Sequence, residues 1–153
     1  MKKIIVTLCL AVLATGCSGK RPELGIVKGK LQPCPPTPNC ISSLSVDEKH
    51  STQAFYYAGT STKAWQTLAA IIKDMPRTEI ISQTGTYMHV EFTSAIFRFV
   101  DDVEFLLKPQ EDKIEVRSAS RLGRSDFGVN RKRIRKIRKL FSKQCAVAVR
   151  ETS

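Results

Sequence analysis

With 153 residues, 42% of them hydrophobic and 25% charged, the chain has the length for one domain with a sizeable core and not for two. Its 25 Lys and Arg against 14 Asp and Glu give a formal net charge of +11, which favours anionic partners such as nucleic acid, phospholipid, anionic glycan or acidic protein, and excludes nothing about fold. Five cysteines (Cys9, Cys17, Cys34, Cys40, Cys145) are many for this length, and their meaning depends on compartment.

The N-terminus addresses that question. Lys2 and Lys3 precede an apolar run over residues 4–14, too short to span a bilayer comfortably, followed by small residues: the layout of a secretory leader. Ala14-Thr15-Gly16-Cys17 resembles a bacterial lipobox, in which the cysteine thiol is acylated and becomes the first residue; the favoured leucine stands one place early, at Leu13. Residues 1–16 are therefore expected to be a signal peptide and Cys17 the lipidated residue. At about 0.8 kcal/mol per buried methylene, two or three acyl chains hold a protein durably on a membrane. Ser18, where aspartate would signal inner-membrane retention, implies by analogy the outer membrane, facing the periplasm. Without Lys2 and Lys3 the chain remains strongly basic. Placement outside the cytoplasm removes nucleic acid from the field and leaves lipid, glycan and acidic protein.

Residues 17–33 mix Gly, Pro and Lys with little periodicity and read as the lipidated cysteine followed by a flexible tether. One domain is expected over residues 34–150. It opens with Cys34-Pro35-Pro36-Thr37-Pro38-Asn39-Cys40, where two cysteines in an oxidising compartment can close a small ring stiffened by three prolines. The loop-entropy gain for so short a ring is roughly 2 kcal/mol. Cys145 falls on the apolar face of the last helix, where a buried, inert thiol is expected and pairing with Cys34 or Cys40 is the alternative.

Within the domain, residues 53–58 carry the aromatic enrichment of a short strand. Thr60 or Ser61 caps a predicted helix over residues 62–74, with Ala64, Trp65, Leu68, Ala69, Ile71 and Ile72 as its apolar stripe and Pro76 as its stop. Strands are predicted over residues 79–83, 86–94, 97–107 and 113–120, and their short separators favour antiparallel neighbours. The expected fold is α+β: an antiparallel sheet of four to five strands with two helices on one face, in the order β-α-β-β-β-β-α. Alternation sends Met88, Val90, Phe92, Phe97, Phe99, Val103, Phe105, Ile114 and Val116 toward the helices. Tyr87, His89, Glu91, Thr93, Arg98, Asp102, Glu104, Glu115, Arg117 and Arg121 form the other face, which reads either as a solvated, cross-paired surface or as a shallow ligand platform. Asp101 falls among the phenylalanines, so a bulge or a buried, hydrogen-bonded carboxylate is expected there, with Ser118, Ser120 or Arg121 as partner.

The last predicted helix covers residues 130–149, docking through Ile134, Ile137, Phe141, Cys145 and Ala148 and turning Lys132, Arg135, Lys136, Arg138, Lys139 and Lys143 outward. Asn130, or Asp126 one turn earlier, is its N-cap. Arg131, Lys132 and Arg133 then crowd its first turn, against the helix dipole by about 0.3–1 kcal/mol each. Asp126, Asp101, Asp102 or an external anion can offset them.

Three segments carry a family resemblance: Pro38-Asn39-Cys40-Ile41-Ser42-Ser43; Phe99-Val100-Asp101-Asp102-Val103-Glu104-Phe105; and Val116-Arg117-Ser118-Ala119-Ser120-Arg121, leading to Ser125-Asp126-Phe127-Gly128-Val129-Asn130-Arg131-Lys132-Arg133. In this order, across about residues 34–140, they resemble the domain-of-unknown-function family numbered 1499, found in bacterial envelopes and plastids. Arg124 departs from that pattern, which has an aromatic residue there. The resemblance supports the domain boundaries and brings no activity or catalytic residues.

Chemistry is sparse. No Ser-His-Asp order, phosphate loop, His-x-x-x-His or Cys-x-x-Cys occurs, and the histidines are His50 and His89. A metal at His89 with Glu91, Asp102 or Glu104 is conceivable, but a salt-bridged surface explains the same residues, so neither metal nor cofactor is expected. The candidate ligand site is an anion site built from Arg117, Ser118, Ser120, Arg121, Asp126, Asn130, Arg131 and Arg133. The first reading is a non-catalytic, lipid-anchored envelope domain that binds an anionic group there. The alternative is an envelope enzyme with Asp101, Asp102 or Glu104 as acid or base and Arg117 and Arg121 as charge clamp. Asp101 and Asp102 are consecutive in a strand, point to opposite faces and form no dyad. A third reading makes the whole motif an internal ion-pair network.

Overall fold

The computed structural model describes the backbone of residues 19–151 and the side chains of residues 19–145. The expected leader, Cys17 and the docking of Ala148 lie outside those described residues.

The chain builds a mixed α+β fold of one large antiparallel sheet and two helices, with a separate hairpin. In chain order, β1 (Ile26–Val27) and β2 (Lys30–Leu31) form that hairpin, and β3 (Cys40–Ser42) and β4 (Phe55–Tyr56) are short. Helix α1 (Ser61–Lys73) leads to β5 (Thr78–Gln83), β6 (Tyr87–Thr93), β7 (Val100–Lys108) and β8 (Lys113–Ser120), and helix α2 (Val129–Glu151) closes the chain. The sheet order is β3-β8-β7-β6-β5, with β4 also pairing with β8. Its register places Asp102 opposite both Glu91 and Ala119, and Glu104 opposite both His89 and Arg117. β3 adds a strand to the four or five expected, and β4 is two residues rather than six.

Helix α1 starts where the Thr60 hydroxyl accepts the Lys63 N–H at 3.3 Å, and its apolar stripe is buried as predicted. The stripe packs with Met88, Val90, Val103, Phe105, Ile114, Val116, Ile134, Ile137 and Phe141 in a single core on the helix side of the sheet. Phe55 anchors it, edge-on to Phe105 at 5.8 Å and to Phe141 at 5.6 Å. Cys145 is a free thiol packed against this core, and burial pushes it up from the usual thiol range.

Three expectations are corrected. Phe97 and Phe99 were to face the helices; instead they are exposed in the β6–β7 turn, because Arg98 adopts φ 57° and breaks the strand, so β7 starts only at Val100. The segment read as a flexible tether contains the β1–β2 hairpin, with Leu31 buried and β2 in contact with β7 and β8. The polar sheet face is not left in water: His89, Glu91, Asp102, Glu104, Glu115 and Arg117 are all buried. Both last corrections have one cause, since residues 21–31 fold back across that face. The Gly25 N–H donates to Glu104 Oε1 at 3.0 Å, Arg21 Nε lies 2.5 Å from Glu91 Oε1, and Lys108 Nζ donates to the Gly29 carbonyl at 2.8 Å.

Candidate functional site

The residues expected to converge are divided by the sheet. Arg117 and Arg121 lie on the polar face, while Ser118, Ser120, Asp126, Asn130 and Arg133 lie on the helix side, at the junction of β8 with α2. Period-two alternation through β8 makes that division, since Arg117 and Ser118 are consecutive.

On the polar face every cation of the cluster meets a carboxylate. Arg121 grips Asp102 with a two-pronged fork, Nε to Oδ2 and Nη2 to Oδ1 at 2.7 Å each, and also donates to Glu91. His89 Nε2 lies 2.7 Å from the same Asp102 Oδ1. Arg117 Nη1 reaches Glu104 Oε2 at 3.2 Å, and the Tyr87 hydroxyl donates to Glu104 Oε1 at 2.9 Å. Lys113 bridges Glu111 and Glu115 at 2.7 and 2.8 Å, and the Ser43 hydroxyl donates to Glu115. Burial pushes the carboxyls of Glu91 and Asp102 up, but their bonds to Arg21, Arg121 and His89 outweigh it, and both end below the usual carboxylate range. Arg117 is the least occupied cation of the set: it is buried, with that one bond, and its Nε has no partner.

The junction cluster is a hydrogen-bonded knot. Asn130 is fully buried in the first turn of α2, and its Nδ2 donates to Asp126 Oδ2 at 2.8 Å, Ser120 Oγ at 3.0 Å and the Asn39 carbonyl at 3.1 Å. Its Oδ1 accepts from Ser118 Oγ and, at 2.6 Å, from Arg133. Asp126, rather than Asn130, caps the helix, accepting from the Gly128 and Asn130 N–H groups at 2.9 and 2.8 Å. Asn39 was missed by sequence reasoning; its Nδ2 donates to the carbonyls of Ser120 and Gly123 at 3.2 and 2.7 Å, which ties the Pro-rich ring to the same knot. That ring is closed by the Cys34–Cys40 disulfide.

Asp101 is buried on the helix side without a bulge, and its partner is Arg133 rather than Ser118, Ser120 or Arg121. This pair offsets part of the positive charge in the first turn of α2. Arg133 also lies 4.8 Å over the Phe92 ring. Arg131 leaves the cluster to bond the carbonyls of Ser51 and Lys49 at 2.8 and 2.9 Å.

Of the weak acid–base candidates, Asp101 and Asp102 face opposite sides of the sheet, and each of Asp101, Asp102 and Glu104 is bonded to an arginine. His89, Glu91 and Asp102 bring one ligand atom each within 4.8 Å of one another, the spacing a metal ion needs. The Arg121 guanidinium already bridges the two carboxylates and supplies the charge a cation would bring. A cleft of about 460 Å³ opens elsewhere, between β2 and the disulfide ring, lined by Leu31, Cys34, Ser42, Leu44, Asp47 and His50 among others. Within it His50 Nδ1 lies 2.8 Å from Asp47, and Nε2 3.2 Å from the Thr37 carbonyl.

Fold and site together define a small α+β domain whose sheet face is sealed by internal charge pairs and by its own N-terminal segment. Residues 30–141 match the family described as protein of unknown function (DUF1499), and the chain belongs to that family. No curated protein and no solved structure gives a significant match. Among the described residues no helix is long and apolar enough to cross a membrane.

Proposed function

We propose that this chain is a lipid-anchored, non-catalytic envelope domain, held at the outer membrane by acylated Cys17 on the periplasmic side, that binds an anionic partner through the outer face of α2. One observation carries the reading. Lys132, Arg135, Lys136 and Lys139 are exposed and form no ion pair among the described residues, whereas Arg121 and Arg133 are consumed by Asp102, Glu91 and Asp101. The binding charge therefore belongs to the helix surface rather than to the arginines of the family motif. Long-range attraction from such a stripe falls with ionic strength.

In protein made from residue 18 onward, without the leader and the acylated cysteine, replacing Lys132, Arg135, Lys136 and Lys139 together by Gln is expected to leave a folded protein that releases from an envelope fraction at lower salt than the unsubstituted form. Arg117→Ala/Arg121→Ala is expected to lose stability while any surviving folded protein keeps the wild-type salt profile. The opposite pattern returns the ligand to the sheet face. Acylation is tested by the intact mass of detergent-extracted protein, where Cys17→Ser removes the added acyl mass. The alternative of an enzyme using Asp101, Asp102 or Glu104 gains no support from this geometry, since all three are buried and bonded to arginine.

A further inference from the structure

At the end of the sheet where β6 meets β7 and β8 meets α2, two loops, the second running into the first residue of α2, expose six large apolar side chains. Ile96, Phe97, Phe99, Leu122, Phe127 and Val129 are between 40% and 90% exposed. The loops are neighbours: the Arg121 N–H donates to the Val100 carbonyl at 3.2 Å, and Phe97 stacks on Phe99 at 5.6 Å. Isolated exposed apolar residues are ordinary on a protein surface, but six on two adjacent loops form a patch suited to an apolar or interfacial environment. Exposed cations rim it. Arg98 and Arg124 are in the same two loops, and Arg77 is held there by its carbonyl, which accepts the Thr93 N–H at 2.9 Å. Asp126 is the sole acidic residue in residues 94–99 and 121–129, and its oxygens are occupied by the helix start.

The chain itself says what lies beside this end. Gly19 packs so tightly on Arg121 and Leu122 that an added Cβ would sit 3.2 Å from each. Cys17 is two residues further on, at most about 7 Å along an extended chain. We infer that this rim is a membrane-docking surface: it seats on the anionic phospholipid bilayer that holds the acylated Cys17, with the apolar side chains in the interface and Arg77, Arg98 and Arg124 at the phosphates. The inference rests on the lipid-anchor reading above and adds an orientation to it. The domain then stands end-on, against the bilayer, rather than hanging free on a spacer. Aromatic side chains and arginines with apolar stems are suited to that zone.

The test uses the full-length lipoprotein, extracted from membranes and reconstituted into phosphatidylethanolamine/phosphatidylglycerol vesicles with brominated acyl chains, which quench tryptophan by contact. Reporters are Phe97→Trp and Phe127→Trp on the rim and Tyr56→Trp at the other end, since Tyr56 pairs with Lys113, about 23 Å along β8 from Ser120. Trp65 is buried and gives a constant background. Flotation with the vesicles, loss of fluorescence at positions 97 and 127, and none at 56, is the expected result. Flotation without that difference overturns the docking and leaves the anchor standing. Failure to float overturns both. Dimerisation in detergent that Phe97→Ser/Phe127→Ser abolishes, with no quenching in vesicles, assigns the patch to a second copy and also overturns the proposal.

Discussion

Arg121 shows how a residue that reads as a ligand clamp becomes a structural one. Its fork on Asp102 and its bond to Glu91 lie in a covered face where water cannot replace them, so removing one partner strands a buried charge. Arg121→Ala and Asp102→Ala are each expected to cost about 3–5 kcal/mol by urea unfolding. A double-mutant cycle should find strong coupling for Asp101 with Arg133 and little for Asp101 with Arg121, since these last two lie on opposite faces of the sheet. Phe127 breaks a local rule in the other direction. It holds φ 51° while 90% exposed, so neither glycine's freedom nor packing compensates the left-handed backbone. Phe127→Gly is expected to raise stability by about 1 kcal/mol, seen as a higher Tm, and to weaken docking on vesicles; unchanged docking would leave the strained aromatic without a role.

Among the elements, β3 depends most on a covalent neighbour. Three residues long, it is held at the sheet edge by pairing of Cys40 with Ala119 and of Ser42 with Arg117, by the Asn39 bonds and by the disulfide. Opening a ring of this size releases roughly 2 kcal/mol of chain entropy in the unfolded state. Cys34→Ala is therefore expected to lower stability by about that amount, with hydrogen exchange rising first at the Ile41 and Ser42 amides; uniform loss of protection would show that β3 is not a separable unit. Helix α1 and strands β6 and β8 were legible because their periodicities are long and clean, and β5 as the short run bounded by Pro76 and the Thr84-Gly85 turn. β7 was misplaced at its start because Phe97 and Phe99 continue an apolar alternation that the left-handed Arg98 interrupts. β3 carried no strand signal of its own, being three residues recruited by the ring that precedes them.

Across the molecule, the covered face couples stability to acid. Glu91 and Asp102 both titrate below their ordinary range in the fold, so they bind protons more readily when unfolded. Their contribution is complete above the unfolded carboxylate values, near 4.5 and 3.8, and is lost as pH falls through the lower, folded ones. Unfolding free energy is expected to hold steady from about pH 8 to pH 5 and to drop below about pH 4.5. Glu91→Gln/Asp102→Asn should be less stable at neutral pH and show a shallower drop; an unchanged slope would move the acid sensitivity elsewhere. The same face explains why the N-terminal segment is not a spacer. Arg21, Gly25 and the β1–β2 hairpin complete its hydrogen bonds and cover it, so the ordered domain starts well before Cys34.

The amino-acid order by itself determined the fold class, the core side of β6, β7 and β8, the disulfide ring, the packing of a partly buried Cys145 against the core and the family, because these follow from local periodicity, short-range loop closure and contiguous motifs. Tertiary structure alone decided which charges meet. A strand that alternates sides sends Arg117 and Arg121 one way and Ser118, Ser120 and the start of α2 the other, and only the sheet register and the folded-back N-terminal segment assign each arginine its carboxylate. Coulomb and hydrogen-bond partners are chosen by distances of a few ångströms between residues up to 91 positions apart, and no pattern along the chain encodes those distances.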